Sequence, residues 1–338
     1  MRRALPFAFL VACGACEGGP LDSAEPLEPI SHTFPAIEIA AFDEQYSDCQ
    51  SWTLDNDEPL FVNAVDMAAG PGWHHSNWMF VDEALYDGPD GTWDCDERGY
   101  EEVEAGLAGG PLFAQSTQAE AETQQFPPNH ALIVPERSRV VAKVHLLNVA
   151  ETPLSTALSL TLHPLADSEA LTKLRPFVLT YLPLALPPQE DSVFSSTCDA
   201  AGANSDDPLD FSLFYLLPHY HGWGTSYFLR GTGPGVDITV YDEEHTTGSG
   251  DGWGRMFTPP VDLTGVTTIE FGCRYSNTTE SVIYEGNAEG EMCTSLAYSN
   301  DNRRWVGGVL NGPSLVTGTN GNGASIYTAP CQMTRLGG

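Results

Sequence analysis

The sequence predicts an all-β protein divided into two strand-rich halves. Its 33 glycines and 25 prolines are spread between short runs in which polar and apolar residues alternate, a pattern typical of strands joined by turns. Patterns with helical periodicity are scarce. The 338 residues are too many for one typical sandwich domain and are sufficient for two domains of about 150 residues each.

Four segments alternate as half-buried strands should. The clearest is 156–163, where the sequence TALSLTLH places every second residue on one face. The others are 139–148, 235–241 and 267–275.

Two segments, 117–125 and 168–174, are expected to form short helices. The segment 164–188 is rich in proline and joins the two halves. We therefore place the domain boundary near residue 170, with one domain at 38–170 and the other at 171–338.

The chain is strongly acidic, with 14 Lys and Arg residues against 46 Asp and Glu residues and a formal charge of −32. Such a surface repels nucleic acid and acidic membranes, so these partners are excluded. No run of about 20 apolar residues is present, so the sequence predicts no membrane-spanning helix. Hydrophobic residues make up 41% of the chain, which is enough to build real cores and excludes wholesale disorder.

The first residues are typical of a secretory signal. Two arginines follow Met1 and precede the apolar run 4–12, as in the charged and hydrophobic regions of a signal peptide. The run ends in Leu-Val-Ala followed by Cys13, which is similar to a bacterial lipobox, so Cys13 is expected to become a lipidated first residue. An ordinary signal with small residues around Gly14 and Ala15 is the alternative.

This signal predicts export. Residues 1–12 would be removed, and residues 13–37 would form a flexible tether, since few of them are apolar. We expect a periplasmic or outer-membrane lipoprotein of a bacterial cell envelope, or a secreted protein, that contacts the membrane only through its lipid anchor.

Export also changes how the cysteines are interpreted. Beyond Cys13 and Cys16, six remain: Cys49, Cys95, Cys198, Cys273, Cys293 and Cys331. An even number in an oxidising compartment predicts three disulfides rather than a thiolate metal site. No C-x-x-C pair occurs among these six, which argues further against a zinc-ribbon or thioredoxin-like site.

Two pairs of histidines are candidate metal ligands. His219 and His221 are two residues apart, so on a strand both imidazoles would point to one face and could bind one ion; a pair of surface histidines is the alternative. His74 and His75 are adjacent, and adjacent strand residues face opposite ways. Both can bind one ion only if the backbone bends, which the upstream Pro71-Gly72 would permit.

Two further residues, taken alone, are more often packing residues than metal ligands. His145 lies in a strongly apolar strand segment, where a histidine is more often a core residue than a ligand. Met292 lies in the sequence Gly-Glu-Met-Cys ending at Cys293. A buried methionine normally serves packing, but a thioether beside two imidazoles would form a soft site able to hold Cu(I) as well as Cu(II).

These motifs occur in a fixed order along the chain, from His74-His75 through His145 and His219-Tyr220-His221 to Glu291-Met292-Cys293. Their order and spacing resemble those of the type II ascorbate-dependent copper monooxygenases, the family of peptidylglycine α-hydroxylating monooxygenase and dopamine β-monooxygenase. The resemblance covers roughly residues 38–338. It implies two tandem antiparallel jelly-roll β-sandwich domains with a solvent cleft between two metal sites.

The resemblance also implies the role of each ligand. The copper ion that relays electrons would be held by His74, His75 and His145. The copper ion that binds dioxygen and attacks the substrate would be held by the catalytic residues His219, His221 and Met292. The implied disulfides are Cys49–Cys95, Cys198–Cys331 and Cys273–Cys293.

The activity that follows is hydroxylation of an unactivated or benzylic C–H bond in a small organic or peptide substrate. It would use dioxygen, two copper ions per chain and a one-electron reductant such as ascorbate. Ascorbate is an anion, so its approach to this acidic chain requires a local positive patch or a different reductant. A non-catalytic copper-binding lipoprotein that serves storage or sensing is the alternative.

Two departures from the family pattern bear on the substrate. Animal enzymes carry a further cysteine shortly after the His-His pair, where Phe80 and its neighbours stand here. Peptidylglycine enzymes have an arginine two residues before the H-x-H motif, which holds the carboxylate of the peptide. Leu217 occupies that position, so peptide amidation by that route is not expected.

Overall fold

Strand pairing divides the chain into two β-sandwiches. The computed structural model describes residues 27–115, 119–244, 254–286 and 290–337. Buried and half-buried positions alternate along many strands, as in the segment Leu158–Leu165, because successive side chains point to opposite faces of a sheet.

The first half contains thirteen strands, a short helix α1 (Glu102–Ala108) and, before it, a 3₁₀ turn at Cys95–Arg98. The strands are β1 (Ile30–Thr33), β2 (Ile37–Ile39), β3 (Asp43–Gln45), β4 (Asp48–Thr53), β5 (Leu60–Ala69), β6 (Trp73–Asp82), β7 (Gly91–Asp94), β8 (Gly110–Ala114), β9 (Ala121–Gln125), β10 (His130–Val134), β11 (Ser138–Asn148), β12 (Leu154–Thr156) and β13 (Leu158–Leu165).

The second half contains fourteen strands and the short helix α2 (Ala200–Ala203). The strands are β14 (Thr172–Tyr181), β15 (Ala185–Leu186), β16 (Glu190–Asp199), β17 (Ser212–His219), β18 (Gly224–Gly233), β19 (Val236–Glu244), β20 (Arg255–Asp262), β21 (Thr268–Asn277), β22 (Ile283–Tyr284), β23 (Thr294–Ser299), β24 (Arg304–Val309), β25 (Leu315–Thr319), β26 (Ser325–Thr328) and β27 (Gln332–Leu336).

Each half is a sandwich of two sheets. In the first half, a sheet of order β7-β4-β11-β6-β8 packs on a sheet of order β1-β13-β5-β10. In the second half, a sheet of order β19-β18-β21-β16-β26-β25 packs on strands β14, β23, β17 and β20. Most pairs are antiparallel, and the predicted fold class, an all-β protein of two tandem sandwiches, is confirmed.

One strand joins the two sandwiches. The start of β14 pairs with β10 in parallel, at Thr172–Leu174, and the rest pairs with β23, from Arg175 to Thr180. One eleven-stranded sheet therefore runs through both halves. The apolar core of the first sandwich also continues onto buried side chains of the second, among them Leu217, Leu296 and Tyr298. This continuity holds the two halves in a fixed relation.

The four strands predicted from alternation are present within one to three residues as β11, β13, β19 and β21. The two predicted helices are wrong. Residues 121–125 form β9, which pairs with β5, and residues from 172 onward form β14. In both places pairing with a neighbouring strand determines the local structure, which weak helical periodicity cannot show.

The expected tether is also shorter than residues 13–37. Residues 30–33 form β1 and pair with β13, Phe34 is 1% exposed, and β2 begins at Ile37. Alternation of polar and apolar residues in this segment is too short to be recognised as a strand. The predicted signal peptide and the predicted lipidation site, Cys13, lie outside the described residues.

All three disulfides implied by the resemblance are present: Cys49–Cys95, Cys198–Cys331 and Cys273–Cys293. Three disulfides indicate a protein that folds in an oxidising compartment outside the cytosol. Among the described residues, no helix has the length and apolar character needed to span a membrane.

Candidate metal centre

A β-bulge brings the two adjacent histidines of β6 to one side of the strand. His145 of β11 pairs with His75, but the next residue, Leu146, pairs with Trp73. His74 is therefore the extra residue of the bulge, which re-aims a side chain that a regular strand would point the other way. The backbone bend that His74 and His75 need in order to bind one ion together is thus present.

The first group of ligands is His74, His75 and His145. One ligand nitrogen of each lies within 4.8 Å of those of the other two, and the Nδ1 atoms of His74 and His75 are 3.0 Å apart. Nitrogens that share an ion at about 2.0–2.1 Å from it lie up to about 4 Å apart. Modest side-chain movement would therefore allow all three to bind one ion.

A carboxylate orients the third ligand of this group. Nε2 of His145 lies 2.7 Å from Oε1 of Glu44, and a carboxylate accepts hydrogen bonds, so Nε2 carries the proton and donates it. This leaves the lone pair of Nδ1 free to bind a metal ion, the arrangement in which an outer carboxylate fixes the tautomer of a ligand histidine. Sequence reasoning missed Glu44, since nothing near it in the chain marks it as a partner of His145.

The second group of ligands lies where β17 ends. His219 is the last residue of the strand and His221 follows in a turn, so the expected arrangement of both on one strand face is wrong. Their rings nevertheless converge, with centroids 5.3 Å apart and planes at 88°. Nδ1 of His221 lies 2.9 Å from the carbonyl oxygen of Gly290, so it donates its proton there and leaves Nε2 free for a metal ion.

Met292 shares a cavity with His219. Both line one small cavity of about 30 Å³ between the sandwiches, together with Asn77, Met79, Glu102, Val103, Gly106, Val178, Thr180, Thr294 and Leu296. Polar and apolar side chains contribute about equally to this lining, and α1 covers one side. Met292 precedes β23 and is half-buried, while its neighbour Cys293 is 1% exposed and bonded to Cys273.

Burial keeps the imidazoles neutral. Burial is the main cause and neighbouring imidazoles add to it, and together they lower the pKa of His74 to about 4 and the pKa of His219 to about 3. The pKa of His75 is lowered well below its ordinary value for the same reasons. A metal ion needs a neutral imidazole, so at neutral pH protons would compete little for these nitrogens.

The two groups of histidines touch each other. The ring centroid of His75 lies 5.6 Å from that of His219 and 6.4 Å from that of His221. The resemblance implies a solvent cleft between two separate sites, but in this structure the five imidazoles form one cluster at the junction of the sandwiches. The apolar contacts that continue between the two halves hold this junction closed.

Sequence reasoning also missed Glu291, although it belongs to the motif that contains Met292. Its carboxylate has no exposed surface and accepts hydrogen bonds from four backbone N–H groups near the second group. Burial raises the pKa of this carboxyl to about 7, while the four N–H donors act in the opposite direction.

The two positions that depart from the family pattern are both in the core. Leu217 of β17 and Phe80 of β6 are each 1% exposed and belong to the apolar cluster of the first sandwich. Neither side chain carries a polar group.

Comparison with known proteins does not identify the chain. No protein-family model matches it, and no curated protein does. Among solved structures, it is similar to the major capsid protein P2 from bacteriophage PM2, with 10% identity, a TM-score of 0.32 and coverage of 80% of this chain and 97% of that chain.

It is also similar to PNGase F, a glycosylasparaginase from Flavobacterium meningosepticum, with 8% identity, a TM-score of 0.34 and coverage of 80% of this chain and 94% of that chain. The exported protein XepA of PBSX gives 10% identity, a TM-score of 0.20 and coverage of 80% and 86%. Likeness at this level carries no argument about what this chain does.

Proposed function

We propose that this protein is an exported copper-dependent monooxygenase. The observation that carries the proposal is the convergence of five imidazoles, from His74, His75, His145, His219 and His221, together with the cavity that His219 and Met292 both line. Their order along the chain resembles that of the copper monooxygenases.

The donor set suits copper. Imidazole nitrogens bind copper in both of its common oxidation states, and a thioether favours Cu(I). The carboxylates that preferentially hold magnesium or calcium are not among these six ligands. Copper bound here would supply single electrons to dioxygen, which otherwise reacts slowly with C–H bonds.

The two groups would have different tasks. His74, His75 and His145 offer three nitrogens, and Glu44 holds the ring of His145 in its ligating tautomer, which suits a site that only passes electrons. His219, His221 and Met292 offer two nitrogens and one weak sulfur ligand, which leaves positions open for dioxygen.

The cavity that Met292 lines limits how much water and substrate can reach the second site. Its volume of about 30 Å³ holds about one or two water molecules, so its small size excludes most water from the second site. A substrate must therefore displace side chains or move α1 to bring a C–H bond to this site. Glu102, which accepts a hydrogen bond from Asn77 at 2.8 Å, places a carboxylate in its wall.

The test combines metal analysis with oxygen consumption. The purified protein should bind two copper ions and consume dioxygen with ascorbate when a suitable amine, peptide or aromatic substrate is present, with one hydroxylated product formed for each dioxygen. His219→Ala and Met292→Ala should abolish hydroxylation while the first group keeps its copper. Full activity in Met292→Ala would show that the second site is assigned wrongly.

Storage or sensing of copper is the second candidate. The small volume of the cavity that Met292 lines favours it, because a substrate could not enter this cavity without displacing side chains. Two bound copper ions without oxygen consumption across reductants and substrates would support this candidate. If the protein retained no copper after dialysis, both candidate functions would be rejected.

We also propose that Cys13 anchors the protein to a membrane through a lipid. The sequence Leu-Val-Ala-Cys at 10–13 supports this. Expression with radiolabelled palmitate should label the wild-type protein and leave Cys13→Ala unlabelled. Equal labelling of both would contradict it.

A further inference from the structure

Glu291 has a fully buried carboxylate between the second pair of histidines and Met292. Its Oε2 accepts hydrogen bonds from the backbone N–H groups of His221, at 2.8 Å, and Met292, at 3.1 Å. Its Oε1 accepts them from the N–H groups of Trp223, at 2.7 Å, and Gly224, at 3.2 Å. All four partners are backbone donors from two chain segments.

This carboxylate is not the partner of a cation. Among the described residues, the ion pairs all involve other carboxylates. An ionised carboxylate has about four sites for hydrogen-bond donors, and four N–H groups already occupy them. Glu291 could bind a metal ion only by giving up one of these bonds, so it acts on its neighbours and not as a ligand.

One oxygen atom joins two proposed ligands. Oε2 of Glu291 fixes the backbone of His221 relative to that of Met292. The ring of His221 is fixed in addition by Gly290, the residue before Glu291. The carbonyl oxygen of Met292 accepts a hydrogen bond from the hydroxyl of Tyr275 at 2.6 Å. The turn after β17 and the segment before β23 therefore move together.

We propose that Glu291 is a positioning residue that sets the spacing between His221 and Met292. It would keep the thioether within reach of a metal ion bound by the two imidazoles. The inference rests on the proposed second metal site and adds to it a residue that contacts no metal.

The physical reason is the weakness of the sulfur ligand. A methionine side chain has three rotatable bonds and no fixed geometry, so a thioether binds a metal only when its backbone is held in place. Without the carboxylate, the half-buried N–H groups at residues 221, 223 and 292 would lose their acceptor, whereas the N–H of Gly224 would keep the carbonyl oxygen of His221, at 2.9 Å. An N–H withdrawn from water without an acceptor is costly. The two segments would then rearrange.

The variant Glu291→Gln tests this. Gln has nearly the same shape, but its amide nitrogen faces one pair of N–H donors that then have no acceptor. We expect the affinity of the second site for Cu(I) to fall about 10- to 100-fold, the usual effect of removing an outer partner of a metal ligand. X-ray absorption should show that the sulfur contribution to the Cu(I) spectrum is lost, while the first group keeps its copper.

Glu285→Gln is the matched control. Glu285 lies next to the same segment, pairs with Glu291 through an isolated backbone bridge and has an exposed side chain. This variant should keep both copper ions and the sulfur signal. Glu291→Asp keeps the charge but is one methylene shorter, so it should recover less than the full affinity.

The outcomes separate this inference from the proposed function. If the wild-type protein binds no copper at His219 and His221, the proposed function fails. If the wild-type protein binds it and Glu291→Gln keeps both affinity and sulfur signal, the positioning role is wrong.

Hydrogen exchange on the metal-free wild-type protein gives a check that needs no variant. The amide protons at residues 221, 223 and 292 should exchange slowly if the carboxylate holds them; that of Gly224 is not a probe, because it also donates to the carbonyl oxygen of His221. Exchange as fast as in an unprotected turn would overturn the inference. This measurement uses only the wild-type protein, so it tests the inference even if Glu291→Gln does not fold.

Discussion

The imidazole rings of His75 and His219 lie 5.6 Å apart, although they belong to different sandwiches. His75 is assigned to the first group of ligands, and its ring also faces His221 of the second group. Substitution of His75 should therefore affect metal binding in both groups.

We predict that His75→Ala removes copper from the first group and also weakens Cu(I) binding at the second group by about tenfold, since it removes an outer contact of His219. Competition with a Cu(I) chelator measures both affinities. His145→Ala is the control, because its ring contacts those of His74 and His75. Equal affinity of the second group in the two variants would contradict the prediction.

The stability of the metal-free protein should depend on pH through these histidines. Burial holds the pKa of His219 at about 3 and that of His74 at about 4, whereas both are near 6.5 in an unfolded chain. Below pH 6.5 the unfolded chain binds protons that the folded protein does not, so stability falls as the pH decreases toward 4.

Urea unfolding in the presence of a chelator at several pH values between 7.5 and 4.5 measures this effect. His219→Gln removes one titrating group, so the unfolding free energy of the variant should depend less steeply on pH than that of the wild-type protein. The difference between the two slopes should be up to about 1.4 kcal/mol per pH unit. The same slope in the variant and the wild-type protein would mean that His219 is protonated in the folded state.

These predictions also show how much the sequence could establish. Alternation in segments such as 139–148 predicts strands correctly because one face of each strand is buried. The convergence of His74 and His75 depends on a bulge, and the sequence indicates only that the backbone must bend. Glu44 and Glu291 act through contacts with distant segments, and no local pattern marks such contacts.

The closed junction between the two groups could not be predicted for a similar reason. It depends on the pairing of β14 with strands of both halves and on apolar side chains that meet between them. The prolines in residues 164–188 predict a connection, although the whole of β14 lies within this segment. Pro176 is tolerated there in spite of having no N–H group to donate.

The acidity of the chain should slow its reduction by ascorbate. A formal charge of −32 repels an anion over roughly 30 Å at 0.01 M salt and about 8 Å at 0.15 M salt. The second-order rate of reduction of the copper-loaded protein by ascorbate, measured by stopped flow, should therefore rise several-fold over this range.

An uncharged reductant is the control, and its rate should change little with salt. A rate with ascorbate that falls as salt is added would instead indicate a local positive patch near the first group, which attracts the anion in spite of the total charge.

The disulfide between Cys273 and Cys293 should stabilise the second copper site in particular. Cys293 follows Met292 directly, and Cys273 lies in β21 of the opposite sheet, so the bond ties the Met292 segment to the far side of the sandwich. We predict that changing both cysteines to serine lowers the unfolding temperature and weakens Cu(I) binding at the second group, while the first group is unaffected.

The pair Cys198 and Cys331 provides the matched control, since its disulfide closes the same sandwich without touching the Met292 segment. Removing either bond should cost about 2–5 kcal/mol of unfolding free energy. Changing both residues of a pair leaves no free thiol that could bind copper itself. If both double variants lose second-site affinity equally, general loosening of the sandwich explains the effect, and the Cys273–Cys293 bond has no special relation to Met292.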